Sequence, residues 1–91
     1  MPTGDTQLLI AQLDALEAAL RAEPATPATT QALHQCDRLR QAALQSHAEG
    51  LRFAAFTLTR LMQQPGANLA DSTHAAAVGL RELLERGGHL R

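Results

Sequence analysis

Leu44-Gln45-Ser46-His47-Ala48-Glu49-Gly50-Leu51 holds the choice between three helices and four. The segment sits inside a proline-free run from about Ala28 to Gln64 whose pattern stays helical. At about 100° per residue, Leu33, Cys36, Leu44, His47, Leu51, Ala54, Ala55, Leu58, Leu61 and Met62 fall on one continuous face. Only Arg40 and His47 interrupt it with polar groups. Phase kept over so many turns argues for a single long helix. Against it stand Gly50, which costs about 1 kcal/mol relative to Ala inside a helix, and Ser46-His47-Ala48-Glu49, which matches a capping box. A break there leaves almost no loop, so the reading favours one helix, kinked at most.

Outward from this run, the N-terminal segment opens at Thr3-Gly4-Asp5-Thr6, where Asp5 or Thr6 can accept from the free N–H groups of a helix start. Leu9, Leu13, Leu16 and Leu20 then recur at the helical period, with Asp14, Glu17 and Arg21 off that stripe. Glu17 and Arg21 form a favourable i,i+4 pair. Pro24 ends the segment, because the residue before proline avoids the α region. In the linker, Thr26 can cap the next helix with Pro27 at its first position, or Thr29 can cap it later.

On the C-terminal side, Pro65-Gly66 stops the long run, and Asn68 or Asp71 can cap a last helix carrying Leu69, Ala76, Leu80, Leu83 and Leu84. Gly87-Gly88 closes it. The expected fold is therefore all-α: a three-helix antiparallel array with a long central helix, the helices spanning about 5–23, 28–64 and 69–87. A four-helix bundle broken near Ser46–Gly50 is the alternative.

Composition supports this class. Ala and Leu dominate, while the chain has one Ile and one Val, so no segment reads as a strand. The 91 residues suit one small domain. A chain this short buries only around 60% of its unfolded surface, which makes oligomerisation a natural support. Cys36 is the single cysteine, so no internal disulfide forms and a reducing, cytoplasmic setting is expected. No apolar run reaches membrane-span length. All eight basic side chains are Arg, a bias that GC-rich coding produces and that suggests a bacterial source. A net charge of -1 and two Phe as the only aromatics argue against nucleic-acid binding.

No residue pattern points to catalysis, and no enzyme activity or cofactor is expected. His34 and Cys36 are two apart, so on a helix they point away from each other and cannot share a metal ion. Asp71, Ser72 and His74 have the residue types of a hydrolase triad, but neighbours on one helix cannot form its linear relay. Cys36 reads as a small buried hydrophobe. His47, between Leu44 and Leu51, reads as a core histidine or as a polar group that sets the register of a helical seam.

The informative feature is the opposite face of the middle segment. Phe53 and Phe56 project there, among Glu49, Arg52 and Arg60, and aromatic plus Arg is the composition of interface hot spots. The expected function is that of a protein-interaction or adaptor module. It is expected to self-associate as a homodimer through His47, Leu51, Phe53, Phe56 and Arg60, and an unidentified protein partner is a further expectation. A small ligand- or metal-responsive regulator using His and Cys at a helical interface is the alternative.

Overall fold

A computed structural model describes residues 4–63 and 69–88. Four helices follow one another: α1 (Gly4–Ala22), α2 (Pro27–Leu44), α3 (Ala48–Gln63) and α4 (Asp71–Arg86). No strand occurs among the described residues. The expected continuous central helix is therefore corrected: it is two helices, and the four-helix alternative describes the molecule.

The break is built from backbone hydrogen bonds. His47 N–H donates to Ala42 O at 2.9 Å and Ser46 N–H to Ala43 O at 3.3 Å, the paired closure that ends a helix when the residue after its cap turns left-handed. Ser46 is that residue, at φ 54°, where glycine is the usual occupant. The next helix starts at once. His47 Nδ1 accepts from Gly50 N–H at 2.8 Å, and His47 O accepts from Leu51 N–H at 2.9 Å. The cap of α3 is thus His47, one residue beyond the expected Ser46. Gly50 has a reason to be glycine, because a Cβ there would lie 2.6 Å from His47 Nδ1.

The other ends follow more ordinary rules. Thr26 caps α2: its hydroxyl accepts from Thr29 N–H at 3.1 Å, Thr29 Oγ1 accepts from Thr26 N–H at 2.9 Å, and Pro27 opens the helix. That resolves the two expected caps in favour of Thr26. Asp5 and Thr6 lie inside the first turn of α1 rather than at its cap. Pro65-Gly66 and the candidate cap Asn68 fall outside the described residues. Asp71 is the first residue of α4, preceded by Ala70, which has no capping side chain. A carboxylate just past the end of α1 fills the role: Glu23 Oε1 accepts from Ala70 N–H at 2.9 Å and from the buried Thr73 hydroxyl at 2.8 Å. An anion at a helix start also meets the positive end of the helix dipole.

The helices pack as a ring, α1 on α2, α2 on α3, α3 on α4 and α4 back on α1, while α1 and α3 face each other only diagonally. Gln12 donates to Ala76 O and Glu23 holds Ala70, so α1 and α4 run antiparallel. Gly79 leaves room for the Gln12 amide, since a Cβ there would meet its Nε2 at 2.7 Å. In place of the expected three-helix array with a long central helix, the four helices form an up-and-down bundle of 36 × 20 × 19 Å.

Its core is Leu9, Leu13, Leu16 and Leu20 of α1, Cys36 and Leu39 of α2, Leu51 and Leu58 of α3, and Leu80 and Leu84 of α4. Ala32, Ala42 and Ala43 of α2 and Ala54 and Ala55 of α3 are buried in the same core, where small side chains let helices pack closely. One charged group joins this core: Glu17 is 7% exposed. Arg40 Nη1 lies 2.6 Å from Glu17 Oε1, and Arg40 also pairs with Asp14, so the residue that interrupted the apolar stripe ties α2 to α1. The expected Glu17–Arg21 pair is present at 3.6 Å.

The hairpin and the continuous helix give opposite signs for one substitution. Ser46→Gly relieves left-handed strain and should stabilise the bundle by about 1 kcal/mol in urea unfolding. Loss of about 1 kcal/mol instead, the cost of glycine inside a helix, would show that the segment is helical.

Candidate functional site

The surface that stands out is the outer face of α3. Its inner positions, Leu51, Ala54, Ala55 and Leu58, are buried, and at 3.6 residues per turn the helix turns Phe53 and Phe56 the other way. Phe53 is 64% and Phe56 57% exposed, so the chain's only two aromatic rings both lie outside its core. Arg60 sits over the Phe56 ring at 6.0 Å from Cζ to the centroid, at the edge of cation–π range. Glu49, Arg52 and Arg60 are exposed beside the rings. Thr57 donates its hydroxyl to Phe53 O at 2.9 Å, so this polar group is engaged with the helix's own backbone.

Of the five expected interface residues, the structure brings Phe53, Phe56 and Arg60 onto this face. Leu51 is 7% exposed and belongs to the chain's own core, which removes it from the surface. His47 is exposed at the α2–α3 turn, where its imidazole caps α3; it is neither a core histidine nor part of an internal seam. Leu44, expected on the buried stripe, is 56% exposed at the end of α2. A second exposed leucine, Leu8, borders an open groove of about 350 Å³ between α1 and α4, lined also by Gln12, Gly79, Leu83 and Arg86.

The residues with chemistry to offer are scattered. Cys36 is fully buried, and desolvation, helped by the negative field of Glu17 and opposed by Arg40, pushes its pKa from 9.0 up to about 12. Such a thiol is a poor nucleophile and a poor metal ligand, since both roles need the thiolate. His34 and His74 are exposed on different helices. Among the described residues no group of three His, Cys, Asp or Glu side chains could hold a metal ion. Asp71, Ser72 and His74 lie in the first turn of α4, with Asp71 favourably placed for the dipole. Between α3 and α4 a cavity of about 40 Å³ touches Leu58, Met62, His74 and Arg81, with room for about one small molecule of solvent size.

Among the described residues no helix is long and apolar enough to cross a membrane. Comparison of the chain with protein-family models, with curated proteins and with solved structures finds no match in any of the three.

The Cys36 assignment has a direct readout. Folding raises this pKa, so the stability the protonated thiol contributes is intact below pH 9.0 and falls away as pH climbs towards about 12. At pH 8 a thiol reagent should label Cys36 only on addition of denaturant, and rapid labelling of the native protein would contradict its burial.

Proposed function

We propose that this chain is a small helical protein-interaction module of the adaptor kind, which self-associates and uses the outer face of α3 as its contact surface. One observation carries the reading: both aromatic side chains are placed outside a core built mainly of Leu and Ala. Single exposed apolar residues are ordinary on protein surfaces. Two adjacent phenylalanines one turn apart, with an arginine over one ring, are the residue types that dominate interface energetics. Covering a Phe contributes about 1.5–3 kcal/mol, a large share of the stability available to a domain of this size. The remaining surface features offer less, since the exposed histidines and the buried Cys36 share no site.

A second copy is the partner that needs no further assumption, and closed two-fold dimers are the commonest assemblies of soluble chains. Sedimentation equilibrium tests the proposal. The wild type should dimerise in the micromolar range, and Phe53→Asp with Phe56→Asp should abolish the dimer while leaving helix content unchanged. A wild type that stays monomeric at high micromolar concentration contradicts self-association. A double variant that remains dimeric contradicts the assignment to α3.

A further inference from the structure

Two of the charges around the rings, Glu49 and Arg60, are arranged so that they complement a second copy in one orientation only, while Arg52 lies about 40° to the side of their stripe. At 3.6 residues per turn, Glu49, Phe53, Phe56 and Arg60 fall within about 60° of one another, a single stripe along α3. Glu49 lies in the first turn of the helix and Arg60 in the last, on the order of 16 Å apart along the axis. That distance is too long for them to pair with each other. Among the described residues neither forms an ion pair within the chain.

The spacing is symmetric about the point midway between Ala54 and Ala55. Glu49 precedes Phe53 by four residues, and Arg60 follows Phe56 by four. A two-fold axis through that midpoint sets the two α3 helices antiparallel. Phe53 then meets Phe56 of the partner subunit, and Glu49 meets Arg60 of the partner subunit, twice over. A parallel pairing sets like charges against each other at both ends, which is repulsive. Antiparallel alignment also places the positive start of each helix beside the negative end of the other.

We infer that the partner of the α3 face is a second copy of this chain, docked antiparallel with the two-fold axis between Phe53 and Phe56 and its register set by two Glu49–Arg60 ion pairs. The inference rests on the self-association proposed above and specifies its geometry. A patch of two Phe, one Glu and one Arg per copy is small for a permanent interface, so the dimer is weak and forms with rising concentration.

Charge reversal tests this without disturbing the core, because Glu49 and Arg60 are both exposed. Glu49→Arg and Arg60→Glu are each examined alone, combined in one chain, and mixed as two separate chains, with helix content followed by circular dichroism. Each single variant sets like charges at both ends of the antiparallel pair and should raise the dimer dissociation constant on the order of tenfold at low salt. The combined variant restores opposite charges and should recover the wild-type constant, and the mixture should form a heterodimer more tightly than either variant forms a homodimer. Single reversals that leave a wild-type dimer unweakened overturn the register while self-association stands. A wild type that never dimerises overturns both.

Discussion

Everything downstream in this molecule depends on three residues, Gln45-Ser46-His47, that turn the chain back on itself. Ending a helix and starting another within three residues leaves several backbone groups to satisfy, and the turn supplies partners from both sides: two carbonyls of α2 close the old helix, and an imidazole nitrogen opens the new one. The arrangement requires a left-handed residue at position 46 and an absent side chain at position 50. Once the turn is made, the apolar stripe of α2 faces the apolar stripe of α3, and the alanines along it let the two helices close. The outer face of α3, with its phenylalanines, is then committed to solvent or to another molecule.

The remaining contacts position the other two helices on this hairpin. Arg40, on the edge of α2, reaches two carboxylates of α1, one of them buried. Its own burial opposes the charge, but Glu17 and Asp14 outweigh that penalty and raise its pKa. Glu23, the residue after α1, supplies the cap that α4 lacks in its own sequence. Polar groups thus fix which helix lies beside which, while leucine and alanine burial supplies most of the stabilisation. The core formed in this way contains no aromatic ring, and both Phe side chains stay exposed on α3.

Much of this was legible in the sequence. The start of α2 is narrowed there to a cap at Thr26 or Thr29, and the all-helical class, the Pro24 stop and the leucine stripe of α1 follow from propensity and period alone. The count of helices does not. Leu39, Ala43, His47 and Leu51 continue at four-residue spacing straight through the turn, so a period analysis cannot distinguish it from an unbroken helix. The usual marker of a helix end, glycine in the left-handed position, is replaced by Ser46. Gly50 looked like a weakness in a helix and is instead the gap that admits the capping imidazole. The outward face of α3 was readable because Phe53, Phe56 and Arg60 keep helical phase among themselves whether or not the helix continues. Leu51, expected both on the apolar stripe and at the interface, takes only the first role, because it is buried in the chain's own core. The cross-helix partners of Arg40 and Glu23 depend on tertiary arrangement and left no local signal.

The hairpin is the claim on which the rest stands, and one distance measures it. Spin labels at the exposed positions Thr30 and Gln63, in a Cys36→Ala background diluted with unlabelled protein, report the separation of the far ends of α2 and α3 by pulsed electron resonance. In the bundle these ends lie side by side, with Ala28 and Ala32 lining the same small cavity as Leu61 and Met62. Neighbouring helix axes are about 8–10 Å apart, so with the label arms the distance should fall below about 30 Å. A single continuous helix would separate the same positions by about 50 Å, and that result would contradict the turn, the four-helix bundle and the placement of the α3 face together.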